Sequence, residues 1–259
     1  MNQKSLVPIS ILVAAIIIAG AVLLTNKKDT PNTGGPINIE ISEVTGGDWI
    51  KGSVDARIKL IEFSDTECPF CKGLHNTLNE LVTEYDGNDL AWIYRHLPLQ
   101  TIHHKAPFEA NATECAGELG GNDGFWRYID KLYEITPSNN GLDLSKLPEI
   151  AEEVGLDREA FQVCLDEIRY KDEVEKDIAD VVKSADHLGG NVGTPFSILV
   201  VDEGINDAAT SIMESINEQY RRSIGRDLIT ISDDRIRAAI SGNLPKEMFT
   251  GIFDAILGK

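Results

Sequence analysis

Hydrophobic residues are distributed unevenly along the chain, and the longest apolar stretch comes first. Residues 6–24 contain no charged side chain and are rich in Ile, Val, Leu and Ala. Lys4 precedes this stretch, and Lys27 and Lys28 follow it. A run of this length is enough for one helix to cross the hydrocarbon core of a bilayer. We therefore predict that residues 1–28 form an N-terminal transmembrane helix that anchors the chain in a membrane.

A cleaved signal peptide is the alternative interpretation of the same segment. Residues 19–21, Ala-Gly-Ala, form a small-residue pattern typical of a cleavage site. The apolar run continues beyond this pattern through residues 22–24, which favours an uncleaved anchor. Both interpretations export the rest of the chain. A turn-rich polar stretch comes next, so we predict a linker over residues 29–44 and a folded domain over residues 45–259.

The folded domain opens with a strand, a helix and a second strand. Residues 57–63 have the apolar content of a buried strand, interrupted by Lys59 and Glu62. Apolar residues then recur at helical spacing, at Leu74, Leu78, Leu81 and Val82. Residues 90–95 form the next apolar run. Because a strand, a crossover helix and a strand in one sheet connect with a right-handed crossover, this order predicts a parallel pair of strands.

The middle of the chain has a helical pattern almost throughout. Five segments are separated by Gly, Pro, Asn or a Gly-Leu-Asp step: residues 105–119, 125–134, 144–154, 158–168 and 170–187. Strand character returns at residues 196–201, and another short strand is expected near residues 228–231 or 235–240. Residues 246–257 close the chain as a helix. The pattern predicts an α/β fold with a helical insertion at about residues 103–188.

Composition and charge narrow the range of partners. Hydrophobic residues make up 42% of the 259 residues, which is enough for a sizeable core. The formal net charge is −18, and because every acidic residue follows residue 28, residues 29–259 carry −21. Nucleic acid binding needs a basic surface, so we predict no nucleic-acid partner.

The most informative motif is the run from Cys68 through Pro69 and Phe70 to Cys71, because of where it lies. It follows a predicted strand and opens a predicted helix, where proline is well suited to the first helical position. Cys68 is then at a helix N-terminus, where free backbone N–H groups and the helix dipole favour a thiolate. We predict that Cys68 is the reactive sulfur and that Cys71 is shielded and resolves mixed disulfides.

Two other interpretations of this cysteine motif remain open. It could be half of a zinc site, although no second pair of cysteines with the same spacing accompanies it, and His103 and His104 are adjacent rather than spaced. It could also be an inert structural disulfide, although so short a loop constrains very little chain. We predict no metal site.

The two remaining cysteines, Cys115 and Cys164, both fall in the helical segments. Four cysteines in an exported chain allow two disulfides in three pairings. Spacing favours Cys68 with Cys71, which leaves Cys115 for Cys164. We expect the second bond to be structural, and two free, buried thiols are the alternative.

Two segments resemble the signatures of the DsbA-type family of the thioredoxin superfamily. Residues 61–71, Ile-Glu-Phe-Ser-Asp-Thr-Glu-Cys-Pro-Phe-Cys, are similar to the active-site strand and helix start of that family. Residues 193–196, Gly-Thr-Pro-Phe, are similar to its second signature. Residues 115–118 also match, and the resemblance covers most of residues 50–202 and 235–258. It implies a thioredoxin-like fold with a helical insertion and a thiol–disulfide oxidoreductase activity.

The same resemblance implies roles for residues around the cysteine pair. Pro195 matches the cis-proline that faces the cysteines, and the backbone at Thr194 would pair with an extended substrate segment. An ordinary turn before a strand is the alternative for these two residues. Pro69 and Phe70 would also contact the substrate.

Glu62 matches a buried acid that passes protons to and from the second cysteine of the family's pair. An acid within an apolar strand is costly unless it has a function. The alternative is a carboxylate on an edge strand that faces water.

The resemblance implies that the protein forms disulfides in exported, cysteine-containing proteins and needs no dissociable cofactor. It also implies reoxidation by a quinone-coupled thiol oxidase in the membrane. A reductase or isomerase of the same fold is one alternative, and an inactive thioredoxin-like binding protein is another.

The chain departs from the family pattern at two places. Phe70 stands where many members have a polar residue or His, which puts the oxidising strength in doubt. Residues 202–226 replace a short turn and include a helical pattern at 208–222, which would either pack locally or dock a partner.

Overall fold

The computed structural model describes residues 36–188 and 192–259. The predicted anchor at residues 1–28 and the start of the predicted linker lie outside the described residues. Across these two described ranges, no helix is both long enough and apolar enough to span a bilayer.

A single six-stranded sheet organises the described part of the chain. Its strands are β1 (Trp49–Lys51), β2 (Ile58–Ser64), β3 (Leu90–His96), β4 (Phe196–Val200), β5 (Ile229–Ile231) and β6 (Arg237–Ser241). The strand order is β1-β3-β2-β4-β6-β5. The β2 and β3 strands run parallel, as predicted, and the other neighbouring pairs are antiparallel. The sequence predicted one short strand, near residues 228–231 or 235–240, and the structure has a strand at each place, β5 and β6. β1 was not predicted.

The central strand β2 is buried along its whole length. It lies between β3 and β4, and helices cover both faces of the sheet, so its apolar residues enter two cores. Lys59 remains compatible with this position because its Nζ reaches Asp202 at 2.5 Å near the surface. Glu62 has no such route and is completely buried.

Helix α1 (Pro69–Glu84) connects β2 to β3. It begins where Pro69 occupies the first turn, and its buried face includes Leu74, Leu78 and Leu81, three of the residues from which the helix was predicted. The 3.6-residue period places these side chains on one face, which packs against the sheet.

The helical insertion consists of α2 (Ala106–Ile135), α3 (Leu147–Glu153), α4 (Arg158–Asp166) and α5 (Lys171–Ser184). The sequence predicted two helices where α2 is a single long element. Gly121 lies inside it with non-helical angles, φ 63° and ψ −159°, so α2 is kinked where the sequence pattern breaks. A disulfide joins Cys115 of α2 to Cys164 of α4, with Cα atoms 5.9 Å apart. The alternative of two free thiols is therefore wrong.

Helices α6 (Asp207–Ile224) and α7 (Lys246–Leu257) complete the fold. Ala209, Met213 and Ile216 of α6 belong to the same apolar core as α7. The Asn217 side chain accepts hydrogen bonds from the Leu228 and Ile229 backbone N–H groups. These contacts show that the segment 202–226 packs locally beside β5.

Part of the predicted linker at residues 29–44 packs on the domain instead of standing free of it. Ile39 is completely buried in the core on one face of the sheet. The backbone N–H and the hydroxyl of Ser42 both donate to Asp180 of α5, at 3.0 and 2.8 Å. Ile37, Ile39 and Ile41 alternate with polar residues, which is a signal of a half-buried extended segment that the linker prediction did not use.

Candidate active site

Helix α1 begins directly at the cysteine pair. Cys68 is the N-cap residue, with extended backbone angles, and Pro69 holds the first helical turn. Cys68 is 5% exposed, and Cys71 is completely buried one turn further on. Both thiols are free. This is the arrangement that the sequence predicted, with one sulfur near the surface and the other behind it.

The surroundings of Cys68 stabilise its thiolate. A hydrogen bond from the Cys71 thiol, the Thr194 hydroxyl and the backbone N–H groups of Cys71 and Phe70 lower the pKa of Cys68 to about 6, although its burial opposes this. Each of these donors stabilises negative charge on the sulfur and none stabilises the neutral thiol. A large fraction of Cys68 is therefore thiolate at neutral pH.

Cys71 has the opposite environment. Burial and the neighbouring Cys68 sulfur raise the pKa of Cys71 well above its usual value. The backbone N–H of Asp65 donates to its sulfur at 3.4 Å. Cys71 therefore keeps its proton when Cys68 loses its own, and the two sulfurs differ in reactivity because of their depth.

Glu62 lies deep beneath the cysteine pair, in the middle of β2. Its carboxyl group accepts hydrogen bonds from the Ser64 hydroxyl at 2.7 Å and from the Trp92 indole at 2.9 Å. Burial raises the pKa of Glu62 to about 7, against the effect of these two donors. The alternative of an edge-strand carboxylate facing water is wrong, because β2 has strands on both sides.

Sequence reasoning missed the groups that hold Glu62. Ser64 is two residues further along the same strand, so the alternation of a strand could have indicated it. Its hydroxyl also lies 2.9 Å from the Tyr133 hydroxyl, on the helical insertion. Trp92 and Tyr133 are distant in sequence, and no local pattern marks them.

The second predicted segment lies directly against the cysteines. The peptide bond between Thr194 and Pro195 is cis, and the Thr194 carbonyl accepts a hydrogen bond from the Cys68 sulfur at 3.4 Å. The Thr194 hydroxyl is buried and has no hydrogen-bond partner at normal geometry among the described residues, so the Cys68 thiolate is the group that it can stabilise. Phe70 is 66% exposed beside the pair and presents a bare aromatic ring.

The two histidines weighed as metal ligands have different positions. His103 is buried, and its Nδ1 lies 2.9 Å from Asp65, whereas His104 is exposed. Among the residues that the structure describes, no group of three or more His, Cys, Asp or Glu side chains could hold a metal ion.

Comparison with known proteins identifies the family. The model of the family described as Thioredoxin matches residues 44–212, more than half of the chain. The chain belongs to the thioredoxin family. The predicted membership of a thiol–disulfide oxidoreductase family within this superfamily is thereby confirmed.

Solved structures show that this thioredoxin-family chain has the DsbA-type fold. Alpha-DsbA1 of Wolbachia pipientis is 18% identical with a TM-score of 0.58, and the match covers 83% of this chain and 93% of that one. BdbD of Bacillus subtilis, in its oxidised form, is 21% identical with a TM-score of 0.52, and the match covers 64% of this chain and 87% of that one. A thioredoxin-like oxidoreductase of Silicibacter pomeroyi is 20% identical with a TM-score of 0.53, and the match covers 82% of this chain and 93% of that one. The predicted thioredoxin-like fold with a helical insertion is confirmed.

The curated relatives of this family member are much longer proteins. A Na(+)/H(+) antiporter NhaA of Herminiimonas arsenicoxydans is 34% identical over 140 residues, which are 54% of this chain and 21% of the relative. NhaA 3 of Salinispora tropica is 29% identical over 161 residues, which are 62% of this chain and 23% of the relative. The matched part spans about a fifth of these relatives and corresponds to their thioredoxin domain.

Proposed function

We propose that this thioredoxin-family protein forms disulfide bonds in exported proteins, outside the cytoplasm, through Cys68 and Cys71. The observation that carries the proposal is the stabilised thiolate of Cys68 at the N-terminus of α1. Stabilising the thiolate stabilises the reduced pair relative to its disulfide. The disulfide is then a strong oxidant, which favours a disulfide-forming direction.

The proposed reaction begins with the oxidised pair. A substrate thiolate attacks the Cys68 sulfur, the Cys68–Cys71 bond breaks, and Cys71 leaves as a thiolate that takes up a proton. A second substrate thiolate then attacks the substrate sulfur of the mixed disulfide, and Cys68 leaves as a stabilised thiolate. The substrate dithiol is oxidised by two electrons and the cysteine pair is reduced by two. No dissociable cofactor takes part.

Glu62 is proposed to supply and remove the proton of Cys71. Its pKa of about 7 gives it both protonation states near neutral pH, which suits a group that exchanges protons. Negative charge on Glu62 also raises the pKa of Cys71, so the two groups are electrostatically coupled. This coupling supports a role for Glu62 behind the pair, away from the substrate.

The substrate is proposed to bind across Thr194, Pro195, Pro69 and Phe70. The Thr194 backbone lies against the Cys68 sulfur, so a segment that pairs with it would carry its own sulfur to Cys68. The exposed Phe70 ring offers apolar contact to an unfolded chain. These residues contact backbone and apolar groups, which favours broad recognition of cysteine-containing chains.

We propose that the predicted anchor at residues 1–28 holds the catalytic domain at the outer surface of the cell membrane. A membrane thiol oxidase coupled to quinone would then reoxidise the pair. The antiporter relatives support a position next to a membrane, because an ion antiporter works in a membrane and these proteins carry the matched region in the same chain.

A stoichiometric oxidation assay tests the proposed direction. The full-length chain in a non-ionic detergent is oxidised, freed of oxidant and mixed with a reduced, unfolded protein that forms native disulfides. We expect one substrate disulfide for each protein molecule, with Cys68 and Cys71 reduced at the end. Reduction of disulfides without their formation would indicate a reductase, and no exchange would indicate an inactive binding protein.

A further inference from the structure

The loop that carries Cys68 is unusual because its three residues are all polar and all buried. Asp65, Thr66 and Glu67 connect β2 to α1 and have exposed fractions of 1%, 2% and 0%. Each polar group in such a position needs a partner. Asp65 has several: it accepts hydrogen bonds from the Leu99 and Glu67 backbone N–H groups at 2.7 and 2.8 Å and contacts His103.

Glu67, the residue before Cys68, is joined to the helical insertion. Its Oε2 accepts a hydrogen bond from the Asn140 backbone N–H at 2.5 Å, and its carbonyl accepts one from Asn139 at 2.8 Å. Its Oε1 is buried without a conventional donor among the described residues. The loop is therefore fixed on one side, and one carboxyl oxygen remains to be satisfied.

Glu109 brings a second buried carboxyl group to the same place. It lies in the first turn of α2, is completely buried, and neither of its oxygens has a conventional donor among the described residues. The side chains next to this carboxyl group are those of Glu67 and Thr66, and the Thr66 hydroxyl is itself buried without a partner at normal hydrogen-bond geometry among the described residues. Two ionised carboxylates in contact inside a protein repel each other strongly, and neither can donate a hydrogen bond.

One proton between the two groups removes both difficulties, since it gives an acceptor oxygen a donor and removes one negative charge. Burial, followed by the hydrogen bond with Glu67, raises the pKa of Glu109 to about 9. The direction agrees with the geometry, and it places the proton on Glu109 across the neutral range.

We propose that Glu67 and Glu109 share a single proton and thereby hold the loop 65–67, and with it Cys68, against the helical insertion. Both are positioning residues: they act through the backbone next to Cys68 and do not contact the substrate. This inference rests on the proposed function in one respect: Glu67 and Glu109 are assigned to holding the Cys68 thiol in the position in which it reacts.

Other titratable groups face this carboxyl pair from each neighbouring element. Asp65 comes from the same loop, and its Oδ2 lies 2.9 Å from Nδ1 of His103 in the β3–α2 connection. Tyr128, on the second half of α2, has a pKa raised well above its usual value by burial and then by the charge of Glu109. The charge of Asp65 therefore helps to raise the pKa of Glu109, and Tyr128, which keeps its proton, offers no positive charge to offset it.

The pH dependence of stability tests the shared proton. A carboxyl group with a raised pKa stabilises the fold fully below its unfolded value near 4.5, and this contribution is lost as pH rises toward about 9. Glu109→Gln keeps the shape and the donor but cannot ionise. Between pH 5 and pH 9 the melting temperature of the wild type should fall by about 5 °C more than that of E109Q.

The measurement uses the full-length chain with Cys68 and Cys71 oxidised, so that neither thiol titrates. Asp123→Asn is the matched control, because Asp123 is an exposed acid of the same helix. The Asp123→Asn curve should run parallel to that of the wild type. Glu67→Gln should give a curve between those of the wild type and E109Q, because Glu109 stays buried but loses the neighbouring carboxyl group. If the E109Q and wild-type curves are parallel, no proton is shared and the proposal is wrong.

The effect on Cys68 tests the positioning role. In the reduced protein, Glu109→Ala removes the group that holds the Glu67 side chain, so the loop 65–67 should loosen and Cys68 should move from its place at the helix N-terminus. The pH midpoint of Cys68 alkylation should then rise by about one pH unit. E109Q should keep the wild-type midpoint. Equal midpoints in E109A and wild type would contradict the positioning role. Because neither measurement needs turnover, an inactive protein would overturn the proposed function and leave this inference testable.

Discussion

The protein contains two cysteine pairs that differ in spacing, in bonding and in their position relative to a helix N-terminus. Cys68 and Cys71 are three residues apart, free, and joined to the N-terminus of a helix. Cys115 and Cys164 are 49 residues apart, bonded and completely buried between two helices of the insertion. Their position in the fold, and not the residue type, therefore separates a reactive cysteine pair from a structural one.

The lengths of the loops that the two disulfides close also separate a reactive pair from a structural one. A disulfide across four residues constrains the unfolded chain very little, so breaking and reforming it costs the fold little. Closing a 49-residue loop should contribute about 4 kcal/mol on the chain-entropy model. One pair can therefore change its redox state during a reaction, while the other stabilises the helical insertion that covers the site.

Removal of the reactive sulfur should have the largest effect on activity. Cys68→Ser should lower the rate of substrate oxidation by about 10³-fold or more, because no other sulfur is placed to be attacked. The rate is measured with a reduced, unfolded substrate protein. Cys115→Ala/Cys164→Ala is the control and should retain most of the activity below its melting temperature. Equal losses in both variants would contradict the division of roles.

The same double variant should lose stability. We expect Cys115→Ala/Cys164→Ala to lower the free energy of unfolding by about 3 to 4 kcal/mol, because the unfolded chain regains the entropy of the open loop. Urea unfolding followed by circular dichroism measures this change. Cys68→Ser/Cys71→Ser should change the free energy much less, and a comparable loss there would mean that the active-site pair is also structural.

Glu62→Gln should slow substrate oxidation by about 10²-fold near neutral pH, because Cys71 loses the group that exchanges its proton. It should also remove the change in rate that occurs around pH 7 in the wild type. Rates from pH 5 to pH 9 provide the measurement. Glu43→Gln, at an exposed acid, is the control. An unchanged rate and pH profile would exclude Glu62 from proton transfer.

The smallest expected effect concerns the thiolate itself. Thr194→Val keeps the shape of the side chain and removes the hydroxyl that helps to lower the pKa of Cys68. The midpoint of Cys68 alkylation should rise from about 6 by about one pH unit. Alkylation rates in the reduced protein, resolved by mass spectrometry of the Cys68 peptide, measure the midpoint. A midpoint that does not move would mean that the Cys71 thiol and the backbone N–H groups at the helix N-terminus stabilise the thiolate without the Thr194 hydroxyl.

Local patterns predicted the elements that carry the cysteines. The apolar run of β2, the helical spacing in α1 and Pro69 at its start all agree with the structure. The closing helix α7 was predicted with its observed bounds, residues 246–257. These elements have strong periodicity, which is the signal that a single sequence contains.

Features that depend on tertiary contact were not predictable. β1 has only three residues and exists because it pairs with β3 at the edge of the sheet. Trp92 and Tyr133 meet around Glu62 only after the sheet and the insertion have packed. The carboxyl groups of Glu67 and Glu109 are 42 residues apart in sequence, and neither residue type indicates burial on its own.

The reduction potential of the Cys68 and Cys71 pair decides whether this pair can form disulfides in other proteins. The full-length chain in a non-ionic detergent is equilibrated with glutathione buffers, and the free thiols of the two cysteines are quantified after acid quenching. The low pKa of Cys68 predicts a potential well above that of thioredoxin, about −270 mV, and toward the oxidising range near −120 mV. A potential at or below the thioredoxin value would contradict a disulfide-forming role.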